Sequence, residues 1–449
     1  PVIDALNSGG NPAEAFNLQI DAGASLSFPT VNPGELEVYG NITNNGQADM
    51  GGGRISMVGS STQTIDGAVR IANFEVENDV ELLGSLEVTT ALTLVSNNLD
   101  ATNGDLTLVS DATRTAYLND FGANTGTLTG DITVQRYVNN SASFDFHHIG
   151  SPVNNLVLAN LNNLPLSGPD GGQVEPVSGG CDPTQVAQSS PYGNLFEWRE
   201  NASFINNCTQ SGWFVRSSGN LNNGEGYAAR VPGADATLEF VGAANTGSVP
   251  LGTFTNTTAT GDGWHLISNP YPSPLAWNNP TGMNAEAHKY DPILGTYDPV
   301  LPGTPGATMA VGQGFFVKID AGNSANLTFT NADRTTGNAA FVAQAPWYEQ
   351  LLTINLQGNG FTDKTQLYFD NEGQTDGWDN QHDAHKRESD HGQPTLYTRA
   401  HDYAHWIGIN GLPVNDAPRS VPMGIKAGAP GTFTLSVDDF STMHPTTMV

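Results

Sequence analysis

Apolar and polar residues alternate in short runs through the first 130 residues of the chain, and Gly, Asn or Asp follows each run. Leu36 and Val38 belong to one such run, and Ile55 and Met57 belong to the next. The pattern returns about every 20 residues, a spacing typical of solenoids, whose rungs bury their inner faces by stacking. We therefore predict a parallel β-helix over residues 1–130, with a β-sandwich as the alternative.

Residues 131–342 contain an internal duplication, with a first copy at 131–232 and a second copy at 233–342. Each copy passes from an aromatic strand through a Ser-Pro or Asn-Pro turn and a variable loop. A Tyr or Trp strand follows, and then a Gly-x-Gly step at 224–226 or 312–314 that leads into another strand. Because this glycine pair precedes a strand and not a helix, it predicts a strand-entry turn and not a nucleotide-binding loop.

The pattern returns to simple alternation from residue 343 onward. Leu352, Ile354 and Leu356 share one face of a predicted strand, and Leu367 and Phe369 share one face of the next. Such strands are typical of a β-sandwich, which we assign to residues 343–449. The predicted fold is therefore all-β: a β-solenoid, a duplicated β-rich module and a C-terminal β-sandwich. The 51 Gly and 27 Pro residues among 449 agree with it, because they favour frequent turns and short helices.

The charge balance excludes several classes of protein. The formal net charge is −29 with only 16 Lys and Arg residues, so the basic stripe of a nucleic-acid-binding protein is missing. We find no stretch of about 18 apolar residues, so we expect no transmembrane segment. Only Arg54 and Arg70 precede Arg114, too few bases for the active site of a polysaccharide lyase built on a β-helix. We predict that the chain is not an enzyme.

The chain has two cysteines, Cys181 and Cys208, which flank a loop rich in Ser, Pro, Gly and Asn. Two cysteines in a large acidic β protein favour one disulfide made in an oxidising compartment. Two free thiols are the alternative.

Two segments resemble a known group of proteins. The segment 263–274 reads Trp-x-Leu-Ile-x-Asn-Pro-Tyr-Pro from its second residue, and Trp277 follows it. This resembles a motif common in large surface proteins exported by the type IX secretion system of Bacteroidetes, where it often lies upstream of a C-terminal sorting domain. The segment 377–386 is similar to that group's Asp-x-x-x-Asp-Ala-x-Lys stretch. The matching residues there are Asp379, Asp383, Ala384 and Lys386.

The resemblance implies an extracellular location on the outer cell surface and the type IX secretion machinery as a partner. We expect both ends to be cuts in a longer product, with the sandwich truncated before a sorting domain. The expected function is structural or adhesive, as a stalk or filament subunit that associates with itself or with other surface proteins. A glycan-binding adhesin and a non-catalytic part of an exported hydrolase are the alternatives.

A group of His and Asp residues in the C-terminal region is a candidate metal site. Carboxylates suit calcium, the one cofactor that we consider, and histidines suit a structural metal. The alternative is a polar loop with scattered histidines and a turn held by hydrogen bonds. The candidate ligands are Asp376, Asp379, His382, Asp383 and His385.

Aromatic residues recur in both copies of the duplicated module and are candidates for glycan contact. Their rings offer an apolar face beside a polar group, which suits stacking on sugars. The alternative is packing in the protein core, which their repetition also favours. The candidates are Trp213, Tyr227, Trp264, Tyr271 and Trp277.

Overall fold

The all-β prediction is confirmed by the computed structural model, in which 49% of residues are in strands and 2% are helical. Short 3-10 helices occur at Leu158–Asn160 and Asn331–Asp333. Among the described residues, no helix is long and apolar enough to cross a membrane. The structure describes residues 12–28, 34–139, 146–174, 193–203, 212–231, 235–257, 262–278, 280–304, 306–341, 350–370, 373–388, 393–402, 404–414 and 419–438.

The N-terminal region is a β-solenoid of about five turns, as its alternating pattern predicts. Its strands pair in parallel and stack identical faces, so one buried lane runs from Leu36 through Ile55, Phe74 and Leu92 to Leu118. Burial of these lanes stabilises the stack, because a single rung has too little core of its own. The strands are β1 (Ala13–Ala15), β2 (Leu18–Ile20), β3 (Glu35–Val38), β4 (Ile42–Asn44), β5 (Arg54–Met57), β6 (Gln63–Val76), β7 (Val80–Leu82), β8 (Ser85–Leu94), β9 (Asn98–Asp100), β10 (Asp105–Leu108), β11 (Tyr117–Asn119), β12 (Thr127–Thr129) and β13 (Ile132–Val138).

The two copies of the duplicated module share one strand order. Each copy contains a four-stranded antiparallel sheet whose strands lie in the spatial order first, fourth, second, third. These orders are β14-β18-β16-β17 and β21-β26-β23-β24. The strands are β14 (Phe146–Ile149), β15 (Leu161–Asn162), β16 (Leu195–Trp198), β17 (Trp213–Val215), β18 (Tyr227–Arg230), β19 (Ala236–Gly242), β20 (Val249–Thr255), β21 (Trp264–Ser268), β22 (Leu275–Ala276), β23 (Ala287–Asp291), β24 (Thr296–Val300), β25 (Thr308–Met309), β26 (Gly314–Lys318) and β27 (Ser324–Phe329).

Each copy also has an outer antiparallel pair, β13 with β19 and β20 with β27. Strand β19 lies beyond the expected end of the first copy at residue 232 and pairs with β13 at its start, so this pair crosses the expected boundary. The same pairing joins the module to the solenoid, because β13 also pairs in parallel with β10.

The two copies contact each other through equivalent residues. The Gly150 amide donates to the Gly312 carbonyl (3.0 Å), and the Ser268 amide donates to the Gly224 carbonyl (2.8 Å). Gly224 and Gly312 are the first glycines of the two Gly-x-Gly steps, and both have a positive φ. The second glycine of the first step, Gly226, lies so close to the other copy that an added Cβ would meet the Ile267 carbonyl oxygen at 2.6 Å. The motif is therefore a turn followed by a close backbone approach.

The predicted sandwich is one seven-stranded mixed sheet with the order β33-β31-β32-β29-β28-β34, and β30 pairs with β32. The Asp363 carboxylate on β29 accepts a hydrogen bond from the Leu396 amide on β31 (2.7 Å), although β32 lies between those strands in the pairing order. The strands are β28 (Leu351–Gly358), β29 (Phe361–Asp370), β30 (Ala384–His385), β31 (Thr395–Thr398), β32 (Ile407–Pro413), β33 (Met423–Lys426) and β34 (Phe433–Val437).

Candidate functional site: the junction of module and C-terminal sheet

The candidate metal ligands lie near the contact between the second module copy and the C-terminal sheet, but each has its own partner. Asp376 pairs with Arg419 (3.0 Å), and the Asp379 carboxylate accepts from the Gln381 amide (2.9 Å). The His382 Nδ1 atom lies 3.0 Å from the Tyr368 hydroxyl. Among the described residues, no group of three or more His, Cys, Asp or Glu side chains is arranged to hold a metal ion.

The remaining two candidates belong to a different kind of structure. Asp383 is fully buried and accepts hydrogen bonds from the amides of Asp379 (2.7 Å) and Gly411 (2.8 Å). The His385 Nδ1 atom lies 2.6 Å from the Glu286 carboxylate of the second module copy. The proposed common metal site is therefore corrected: Asp383 fixes a turn, and His385 makes a contact between units.

We define the junction segment as residues 383–387; the side chains of its last three residues point alternately toward the two units. Lys386 turns into the C-terminal sheet, where its ammonium lies 2.6 Å from the buried Asp363 carboxylate and donates to the Lys364 carbonyl (2.8 Å). His385 turns toward the module. Alternation of this kind is what a β-strand imposes on successive residues.

The contact on the module side is a fully buried group of Glu286, His288 and His385. Burial favours the neutral form of Glu286, but the opposing effects of His385 and His288 hold its pKa below the usual value. Burial lowers the pKa of His288 to about 4, so this ring is neutral at pH 7. The arrangement therefore places a carboxylate at the junction with one histidine in direct contact and a second, neutral one at 4.0 Å.

The last residue of the junction segment, Arg387, enters an aromatic cluster shared by both module copies. Its guanidinium carbon lies 3.7 Å from the centre of the Phe316 ring, and the rings of Tyr297, Trp198 and Trp264 are 4.7, 4.9 and 5.3 Å away. A buried guanidinium over ring faces is held by cation–π attraction. This contact links the C-terminal sheet to the first and second copies at once.

Our sequence interpretation missed both Glu286 and Arg387. Neither residue belongs to a recognised motif, and Glu286 lies 99 residues before its partner His385. The available signal was the pair of basic residues, Lys386 and Arg387, that directly follows the short strand β30, since buried charges require partners.

The five aromatic candidates for glycan contact are all buried, with at most 8% of the surface of each residue exposed. Trp213 and Trp264 belong to the cluster around Arg387, and Tyr271 and Trp277 pack in the core of the second copy. Tyr227 faces the core that is continuous with the solenoid. Stacking on a sugar requires an exposed ring face, so the structure corrects this expectation and assigns the five side chains to packing.

The predicted disulfide between Cys181 and Cys208 lies outside the described residues. It stays a prediction.

Comparison with known proteins identifies one family. No curated protein and no solved structure matches the chain. A family model described as a domain of unknown function, DUF8693, matches residues 175–297 and residues 278–447. The two matches overlap and together span well over half of the chain, including both sides of the junction. The chain therefore belongs to the DUF8693 family, a domain of unknown function.

Proposed function

We propose that the protein is a structural or adhesive component of the outer surface of a Bacteroidetes bacterium, exported by type IX secretion. In this role it serves as a stalk or filament subunit and associates with copies of itself or with other surface proteins. The resemblance of segments 263–274 and 377–386 to exported surface proteins supports the route and the location.

The observation that carries the structural role is the junction segment. In this segment, Lys386 forms a buried ion pair with Asp363 of the C-terminal sheet. The next residue, the buried Arg387, contacts the aromatic cluster of the module. Separation of such a contact costs free energy, because the remaining charge is left desolvated without a partner. The junction segment therefore holds its two units in one fixed arrangement, which suits a structural protein that bears mechanical load.

The sheet edge at β34 supports self-association. Within the described part of the chain, β34 pairs with β28 on one side and with no strand on the other. Leu435 and Val437 on this strand are 45% and 43% exposed. An edge strand with exposed apolar side chains is a template for pairing with another chain.

The assembly state tests this proposal. Native protein is measured by light scattering and electron microscopy, with and without calcium, at increasing concentration. We expect ordered assemblies that are reduced in a Leu435→Lys, Val437→Lys variant. A matched variant, Thr434→Lys with Ser436→Lys, changes the same strand by the same charge at its polar positions and isolates the apolar face. A protein that stays monomeric at high concentration in all conditions would refute the filament role.

A further inference from the structure

Three basic side chains are buried together where the solenoid meets both module copies. Arg136 lies on β13, His147 on β14 and Lys289 on β23, with 8%, 2% and 1% of their surfaces exposed. Arg136 and His147 flank one ring, that of Phe341: the guanidinium carbon is 4.3 Å from its centre, and the His147 ring centre is 6.3 Å away. Lys289 is close enough for the charge of Arg136 to act on its ammonium.

The hydrogen-bonding capacity of this group is only partly used. Arg136 donates from Nη1 to the Thr115 hydroxyl (3.0 Å), and Lys289 donates to the Thr308 carbonyl (2.8 Å). The buried Nε of Arg136 and the buried Nε2 of His147 have no hydrogen-bond partner. Within the described ranges, no carboxylate acts on any of the three bases.

Two other buried bases of this chain are paired with carboxylates, and the buried Arg387 is instead surrounded by aromatic rings. Arg334 lies 2.5 Å from Asp120, and Lys386 lies 2.6 Å from Asp363. The chain has 45 Asp and Glu residues, so acidic partners are plentiful. Three clustered bases without a carboxylate therefore need another source of charge compensation.

An uncompensated charge in the interior is costly. A guanidinium stays protonated in proteins, and burial of an unpaired ion costs several kcal/mol or more. Burial lowers the pKa of Arg136 to about 10, which leaves it charged at pH 7. Burial, together with the charge of Arg136, lowers the pKa of Lys289 to about 7. The group thus carries one to two positive charges that the described side chains do not balance.

We propose that Arg136, His147 and Lys289 surround a binding site for a small monovalent anion, with chloride as the representative ligand. A single negative charge matches the charge of the group, and the buried position beside the Phe341 ring suits an ion that sheds water readily. The bound anion would accept from the two unpartnered nitrogens and would join the solenoid to both copies of the module. The overall charge of −29 opposes anion binding at long range, so affinity must come from these donors.

The test uses the full chain purified in a halide-free buffer. Thermal stability is measured against chloride and, at equal ionic strength, against gluconate, which is too large for a buried site. We expect chloride to stabilise the wild type and gluconate to have no such effect. Each tenfold increase in chloride above the Kd should raise the folding equilibrium constant tenfold.

Two variants and one control localise the site. Arg136→Met should abolish the chloride-specific increment, and His147→Gln should weaken it while leaving the charge of Arg136 in place. Arg114→Met removes an exposed arginine, whose Nη1 contacts Thr90, and should keep the full increment. Crystals soaked in bromide should show an anomalous peak between the three bases.

Equal stabilisation of the wild type by chloride and gluconate would overturn the proposal, as would bromide-soaked crystals without a peak at this position. If Arg136→Met does not fold, His147→Gln and the bromide crystals still decide the question.

Discussion

Replacement of Arg387 tests the junction directly. A cation–π contact in a desolvated setting contributes about 2 kcal/mol, and Arg387 lies over Phe316 at 3.7 Å with three further rings around it. Arg387→Met keeps an unbranched apolar stem but removes the charge, so we expect a loss of about 2 kcal/mol. Arg387→Ala also removes the packed stem and leaves a cavity, which adds about 2 kcal/mol. The two variants should therefore differ from each other by about as much as Arg387→Met differs from the wild type.

The assay is denaturant unfolding followed by two probes, because a protein of several units does not unfold as one two-state system. Tryptophan fluorescence reports on Trp198 and Trp264 in the aromatic cluster, and hydrogen exchange of β32 reports on the C-terminal sheet. Arg399→Met is the control: Arg399 is exposed, 5.5 Å from the Tyr397 ring, and should cost well under 1 kcal/mol. An Arg387→Met variant as stable as the wild type would show that the charge does not hold the units together.

Three further predictions concern the backbone contact, the buried histidine and the aromatic core. Gly226→Ala should destabilise the protein by about 2 kcal/mol or more, because the new Cβ would meet the Ile267 carbonyl oxygen of the other copy. The control is Gly122→Ala: Gly122 has a positive φ but open space around it, so this variant should cost only about 1 kcal/mol in the same denaturation experiment. His288 has a folded-state pKa of about 4, and an unfolded histidine titrates near 6.5. The unfolded state therefore takes up the proton first, and His288 should lower the stability by about 3 kcal/mol between pH 6.5 and pH 4. This part of the slope should be missing in His288→Gln, while the contribution of His147, whose burial lowers its pKa to about 4, remains. Equal slopes in the two proteins would contradict the assignment. Trp277→Ala should cost about 4 kcal/mol, since the ring is 1% exposed and its Nε1 donates to the Ala285 carbonyl (2.6 Å); a variant with wild-type stability and altered sugar binding would restore the glycan interpretation.

The solenoid was accessible from the sequence because its contacts repeat. Leu36, Ile55, Phe74 and Leu92 occupy the same place in successive rungs, and each lies in a run of period two. Local alternation therefore specifies both the strand and its buried face. The strand order that the two module copies share agrees with the duplication seen in the sequence.

The boundary of the first copy was less accessible. Strand β19 belongs to that copy because it pairs with β13, about 100 residues earlier, and no local pattern encodes this pairing. The aromatic candidates posed a related difficulty. The sequence around Trp213 and Trp277 is compatible with an exposed or a buried ring. Only the tertiary packing decides which face of each strand is covered.

The junction shows the same limit for charged residues. The segment around Asp383 drew attention because it is rich in His and Asp, and those residue types suggested a metal. The actual partners, Glu286 for His385 and the aromatic cluster for Arg387, come from other units of the chain. A sequence pattern identifies charged residues that need a partner if they are buried, but the tertiary contacts decide which group that partner is.

We infer that the junction segment holds the C-terminal sheet and the duplicated module together as one body. Native-state hydrogen exchange of the full chain measures this directly, by comparing amides of β23 in the module with amides of β32 in the sheet. We expect both strands to exchange through one shared opening with the same free energy, and we expect Arg387→Met to give them different opening free energies. If the amides of β32 open independently in the wild type, at a much lower free energy than those of β23, the claim is contradicted.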